Sequence, residues 1–215
     1  MSWTYEDFTK AIYKLTNIDL SCYKERQMKR RIDSLINRKN YSQYDEFYRA
    51  LVADKELLES FVNYITINVS EFFRNPSQWE VLKNDILPML IDRYGKLKIW
   101  SAACSTGEEP YSMVMLLHEF FPLEEITVIA TDIDKEALEK AKEGIYIEKS
   151  LQSLPQEYVK RYFTNKDGLY KIDNRIKQRV IFKRHNLLID PYPSNCHLII
   201  CRNVLIYFTE EAKSR

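Results

Sequence analysis

The sequence predicts an α/β domain built on a parallel sheet, preceded by an all-α N-terminal domain. Three observations carry that expectation. Residues 4 to 75 show helical periodicity throughout and hold no glycine, the first being Gly95. After NPSQW the texture changes to short apolar strands alternating with helices. Between residues 160 and 183, turn signals at 165 to 168 and 173 to 174 point to a small antiparallel hairpin set into the α/β fold.

Taken in order, Thr4 and Asp7 are placed to cap a first helix whose apolar residues Phe8, Ile12, Tyr13 and Leu15 recur at helical spacing. Similar periods run over 22 to 38, 42 to 53 and 54 to 68. The second of these helices is unusual in charge. Residues 24 to 39, KERQMKRRIDSLINRK, hold seven basic residues against two acidic ones, a net +5. Met28, Ile32, Leu35 and Ile36 form one stripe, so the helix is expected to pack by that stripe and turn Arg26, Lys29, Arg30, Arg31 and Arg38 to solvent. In the second half, LKIWSAA reads as a strand, PYSMVMLLHEFF as a helix and ITVIATDID as a strand. KEALEKAKEG reads as a helix opened by Asp134 and stopped by Gly144. RVIFKRHNL and HLIICRNVLIYF supply two further strands of buried type, which predicts a parallel sheet covered on both faces.

Composition narrows the function classes. Lys plus Arg number 32 against 31 for Asp plus Glu, so any basic surface is local. The start lacks the regions of a signal peptide and no run approaches a membrane span, which predicts a cytoplasmic chain with no direct membrane insertion. Cys22, Cys104, Cys196 and Cys201 show no C-x-x-C spacing and do not cluster with His118, His185 and His197, so no metal site is expected.

The segment KIWSAACSTGEEPYSM, residues 98 to 113, has the rhythm of a ligand-binding turn at the carboxyl end of a strand. Ser101, Ala102, Ala103 and Ser105 are small enough to let the backbone approach a ligand. A dinucleotide fingerprint is missing, since only Gly107 is glycine, and a ligand without phosphates fits better. Asp132, in ATDID, lies 25 residues after Gly107, the range at which an acidic residue accepts both ribose hydroxyls of an adenosine. Glu109 opens the following helix and suits a cationic amino group. An adenosine bearing a free amine describes S-adenosyl-L-methionine. Taken singly, Asp132 is equally a cap and Glu109 equally a residue of a solvated face.

Together, TINVSEFFRNPSQWEVLKNDILP (residues 66 to 88), WSAACSTGEEPYS, ATDIDKEALEKAKEGIY, HNLL and CRNVLIYF resemble the CheR-type chemoreceptor glutamate O-methyltransferases over about residues 5 to 215. The resemblance implies a Rossmann-like S-adenosylmethionine-dependent methyltransferase domain (76–215) with a small antiparallel β-subdomain (about 160–183). A helical N-terminal substrate-docking domain (1–75) precedes it. It implies cofactor contacts at Asn68, Ser70, Arg74, Glu109, Asp132, Asn186, Leu187, Asn203 and Val204, with Arg74 and Tyr207 nearest the transferring methyl group. Ser70 stands where threonine is expected, a change that keeps the hydroxyl. Relatives continue past IYF, so the last strands are expected to be missing from this chain.

The implied reaction methylates glutamates on glutamate-rich cytoplasmic helices of membrane-bound chemoreceptors, leaving S-adenosyl-L-homocysteine. The enzyme is expected to be a monomer recruited to its receptors, with the basic helix as the docking face. An RNA methyltransferase and a non-catalytic S-adenosylmethionine-binding adaptor are the alternatives. RNA ranks lower because no aromatic residue interleaves with the arginines for base stacking.

Overall fold

The computed structural model describes residues 3 to 214. Met1, Ser2 and Arg215, the outer limits of the two expected domains, lie outside the described residues. The chain divides into two compact units. One runs up to Ile67 and includes the stretch from Asn203 onward; the other spans Asn68 to Arg202.

The first unit is helical: α1 (Tyr5–Thr16), α2 (Glu25–Arg38), α3 (Tyr44–Ala53) and α4 (Lys55–Thr66). Thr4 and Asp7 close a reciprocal capping box, Asp7 N donating to Thr4 Oγ1 at 3.2 Å and Thr4 N to Asp7 Oδ2 at 2.9 Å. The apolar stripes converge on Phe8, Phe47 and Phe61, all fully buried, with ring centroids 5.8 to 6.2 Å apart. Helix α4 ends with Ile67 in the left-handed region at φ 55°, a costly conformation for a β-branched residue. Arg31 offsets part of that cost by donating from Nη2 to the carbonyl of Tyr64 in the last turn. The returning stretch from Asn203 pairs through a bridge between Tyr23 and Phe208, with Lys24 N donating to Tyr207 O and Thr209 N to Cys22 O, each at 2.9 Å.

The second unit opens with α5 (Pro76–Val81) and α6 (Leu87–Tyr94), joined by a π-helical stretch, Leu82–Ile86. Pro88 explains the π turn. It has no N–H to offer the carbonyl of Asn84 and its ring crowds that oxygen, so the ladder widens and Leu87 N donates to Leu82 O instead. Then follow β1 (Ile99–Ala102), α7 (Glu108–Leu117), β2 (Val128–Asp132), α8 (Lys135–Glu143), β3 (Ile145–Ile147), α9 (Gln156–Tyr162), β4 (Phe163–Lys166), β5 (Leu169–Ile172), α10 (Asn174–Lys177), β6 (Val180–Arg184) and β7 (Leu198–Ile200). The parallel sheet has the order β6-β2-β1-β7, and a separate antiparallel sheet the order β3-β5-β4. This is a Rossmann-like α/β fold with a small antiparallel subdomain.

Four details differ from expectation. The structural division falls after Ile67 rather than after residue 75, because Phe72 and Phe73 are buried in the core of the second unit, Phe72 lying edge-on to Tyr146 and Phe163. The hairpin turn forms at Asp167 and Gly168, both at positive φ, as two-residue hairpins require. It gains a third strand, β3, from outside 160–183, while the chain from Val180 joins the parallel sheet. HLIICRNVLIYF is a strand only over Leu198–Ile200; Asn203 turns left-handed at φ 60° and a short 3-10 helix follows at Leu205–Tyr207. Finally, the second face of the parallel sheet is covered at its centre, where Trp100 is buried, but not at its edges. The row Val180, Val128, Ile99 is buried, whereas in the next row Ile181 and Ile199, at the two edges, are 45% and 53% exposed.

Candidate active site

Beyond β1 the chain makes a turn whose backbone is held in costly conformations. Ala103, Ser105 and Gly107 all have positive φ, at 60°, 49° and 91°. Small side chains lower that cost without removing it, and hydrogen bonds supply the rest: Cys104 N donates to Thr131 O at 2.9 Å and Gly107 N to Cys104 O at 3.1 Å. Glycine is needed at 107 for packing as well, because a Cβ there would lie 2.8 Å from Cβ of Ala141 on α8.

Four residues, through side chains and two backbone amides, form a closed ring. Ser105 N donates to Asp132 Oδ2 at 2.7 Å, and Asp134 N to Asp132 Oδ1 at 2.9 Å. Asn68 Nδ2 donates to Asp134 Oδ2 at 2.6 Å, and Ser105 Oγ to Asn68 Oδ1 at 3.1 Å. Asp134 also caps α8 through Oδ1. Asp132 is 7% exposed, and burial pushes its carboxyl up to about 6 although the backbone amides of Asp134, Ser105 and Ile133 favour the ion. As a carboxylate it has acceptor capacity left for a further donor.

A second cluster surrounds Glu109. Ser101 Oγ donates to its Oε1 at 2.8 Å, and Arg202 Nη1 lies 3.6 Å from Oε2. Burial pushes this carboxyl up to about 7, against the lowering influence of Ser101, Arg202 and Arg74. The available cations do not match the cost of burying the charge. Glu108, beside it, is 3% exposed and raised by burial, with Thr106 and Ser70 hydrogen-bonded to its side chain. Arg74 donates from Nη1 to Val69 O at 3.0 Å.

The expected residues thus fall into groups. Asn68 and Asp132 meet in the ring, Arg74 and Glu109 in the second cluster, and Ser70 reaches Glu108. Asn186 and Leu187 follow β6 in a turn where Asn186 Oδ1 accepts from Leu188 N and Asp190 Oδ2 from Asn186 N; His185 N, donating to Asp132 O at 2.9 Å, ties that turn to the tip of β2. Asn203, Val204 and half-buried Tyr207 belong to the helical unit. On α2, Arg26, Lys29 and Arg30 are exposed, Lys29 Nζ lying 5.7 Å over the ring of Tyr5. Arg38 is exposed as well, and it and half-buried Arg31 lie 4.9 and 4.6 Å over the ring of Tyr64. That corrects one expectation, since Arg31 is partly committed to helix α4; no aromatic residue interleaves with the arginines along α2 itself. Ser105, Glu108, Asp134 and Arg202 were not singled out as ligand-site residues from sequence. Arg202 stands inside the CRNV block, and Asp134 was read only as a helix opener.

The site suits an S-adenosylmethionine better than a dinucleotide. Asp132 and Glu109, as carboxylates, accept hydrogen bonds only, which matches ribose hydroxyls and an ammonium; two buried acids beside the turn repel a pyrophosphate. The raised carboxyl of Glu109 in particular calls for one more cation than the protein supplies.

Comparison with known families agrees. Residues 68–215 match the CheR methyltransferase SAM binding domain and residues 4–66 the CheR methyltransferase all-alpha domain. A "Chemotaxis protein methyltransferase" of Listeria monocytogenes is 42% identical over 210 residues, covering 97% of this chain and 80% of its own. Proteins of similar name from Pseudomonas aeruginosa and Borreliella burgdorferi are each 34% identical, covering 97% and 95% of this chain and 81% and 77% of theirs. With both domain types matched in order over the described fold, S-adenosylmethionine is the cofactor and the chain belongs to the CheR methyltransferase family.

Proposed function

We propose that the chain methylates glutamate side chains on the cytoplasmic helices of chemoreceptors, giving γ-glutamyl methyl esters. The chemotaxis names of its relatives support the setting. Among the observations, the one that carries the reaction class is a cation beside Glu109, Arg74, whose guanidinium keeps donors to spare. Arg74 bonds Val69 O through Nη1, and no other hydrogen bond of its side chain occurs among the described residues. His118 and His197 are engaged elsewhere, with Tyr162 OH and Lys98 N, while His185, whose backbone N–H meets Asp132 O, has its Nε2 3.3 Å from Pro191 O and its ring against Trp100 and Tyr192.

S-adenosylmethionine supplies an electrophilic methyl group on a sulfonium. Glu109 would hold the ammonium end and Asp132 the ribose hydroxyls. A substrate glutamate with an ordinary pKa of about 4.3 is already an anion at neutral pH, so no base has to remove a proton. Arg74 holds that carboxylate through its fork and excludes water from the attacking oxygen. The N-terminal helical unit acts as the docking unit: exposed Arg26, Lys29 and Arg30 on α2 complement an acidic receptor helix and speed encounter.

Single-turnover transfer of labelled methyl to purified receptor cytoplasmic fragments tests the reading. The expected product is base-labile and maps to glutamate. Label in RNA instead, or cofactor binding with no transfer to either, overturns it in favour of an RNA methyltransferase or an adaptor.

A further inference from the structure

Arg74 sits in a turn that cannot hold itself. Phe73 and Asn75, on either side of it, both have left-handed backbones, at φ 51° and 58°. Neither is glycine, and such a turn persists only where its surroundings over-determine it. Phe73 N is held by Ser112 Oγ at 3.0 Å. On the other side Arg202 and Trp79 share the restraint, with Gln78 N donating to Asn75 O at 3.0 Å. Arg202 Nη2 donates to Arg74 O at 2.6 Å and to Asn75 Oδ1 at 3.1 Å, while its Nη1 faces Glu109 Oε2 at 3.6 Å. Its guanidinium lies 5.7 Å over the ring of Trp79, whose Nε1 donates to the same Arg74 carbonyl at 3.0 Å. The Arg202 side chain is 21% exposed and its fork is used on three acceptors at once, which a lysine cannot reproduce.

We propose that Arg202 is a positioning residue of the methyl-transfer site, whose guanidinium ties the strained turn that aims Arg74 to the carboxylate of Glu109 that receives the cofactor's ammonium. It couples the two halves of the reaction: the grip on the cofactor's amino acid end and the grip on the substrate carboxylate. This rests on the methyl-transfer reading above. The groups facing Glu109 are the Ser101 hydroxyl, the guanidinium groups of Arg74 and Arg202, and the thiols of Cys104 and Cys201. Of these, Arg202 is the cation that forms an ion pair with it.

The test separates charge from geometry. S-adenosylhomocysteine, which keeps the ammonium, is titrated calorimetrically into the full chain from pH 5.5 to 9. For the parent, affinity should rise with pH until Glu109 ionises near pH 7, Asp132 adding to the slope only below about pH 6, and then level off. In Arg202→Gln the levelling point should move up by about half a unit or more, because a cation that favours the carboxylate is gone. Arg202→Lys should keep the parent's levelling point but lower the single-turnover rate at saturating cofactor by about tenfold or more, since it cannot clasp Arg74 O and Asn75 Oδ1 while facing Glu109. An unchanged levelling point in Arg202→Gln, or a parental rate in Arg202→Lys, overturns the proposal, even if melting temperatures fall. Should Arg202→Gln not fold, the split between binding and rate in Arg202→Lys decides alone. If the parent methylates no receptor fragment but the levelling point still moves in Arg202→Gln, the substrate reading fails and the link between Arg202 and Glu109 stands.

Discussion

Replacing Glu109 by glutamine should make the ligand-free protein more stable at neutral pH while weakening its hold on the cofactor. Burial raises the Glu109 carboxyl from 4.5 to about 7 in the folded chain. Between those values the folded state keeps a proton that the unfolded state has released, so Glu109 favours folding at acid pH, and this advantage is lost as pH rises through about 7. From pH 5.5 to 8 the loss amounts to about 2 kcal/mol. Glutamine is nearly isosteric, still accepts from Ser101 Oγ, and has no such dependence. Urea unfolding of parent and Glu109→Gln at 25 °C, at both pH values, should therefore show the difference in stability shifting by about 2 kcal/mol in favour of the variant at the higher pH. Other titrating groups are common to both chains and cancel. S-adenosylhomocysteine affinity at pH 8 should fall by about tenfold to a hundredfold, the value of a charge-assisted bond of about 1.5 to 3 kcal/mol. A stability difference that stays constant from pH 5.5 to 8, or moves toward the parent, refutes the picture of an under-compensated buried acid.

Three more outcomes are expected. Asp132→Ala should weaken cofactor binding at least about tenfold and also lower the melting temperature, because the amides of Ser105 and Asp134 lose their acceptor at a cost of about 1 to 3 kcal/mol each; parental melting would show that the ring does not hold the turn. Gly107→Ala should cost about 2 kcal/mol or more, from left-handed strain plus a 2.8 Å contact with Ala141, and calorimetry should find cofactor binding weakened with it. Reversing Arg26 and Arg30 to glutamate should slow association with receptor fragments and flatten its salt dependence, whereas Arg31→Ala should chiefly lower the stability of the helical unit, since Arg31 caps α4; stopped-flow kinetics at two salt concentrations and thermal melting distinguish them.

The helices and the central strands were legible because their signals are local. Capping at Thr4 and Asp134, the stop at Gly144 and the run VIATD depend on neighbours within a few residues. What escaped depends on partners far along the chain. The three-residue β3 is too short to show a period and exists because β5 pairs with it. The stretch after Ile200 is as apolar as a strand, yet a left-handed Asn203 ends any extension. In the site, the sequence offered Glu109, from its place at a helix start, and Asp132, from its spacing, as candidates, but their environment was not legible: the ring spans Asn68 to Asp134, and Arg202 reaches back to Arg74 and Asn75. Arg31 looked like one more exposed cation until Tyr64, on another helix, was placed beneath it.

The π turn at Leu82–Ile86 acts as a phase shifter. One extra residue in a helix rotates everything downstream by about 100° around the axis. The side chains that pack on the core from this segment are Trp79, Leu82, Leu87 and Ile91, spaced three, five and four apart, and the step of five is where the extra residue is absorbed. Deleting one residue between Leu82 and Ile86 while replacing Pro88 with alanine would restore an unbroken α-helix with the inward stripe intact, whereas either change alone would leave a helix out of phase with its own core. The insertion and the proline are thus a single heritable unit, and a homologous helix should carry both or neither.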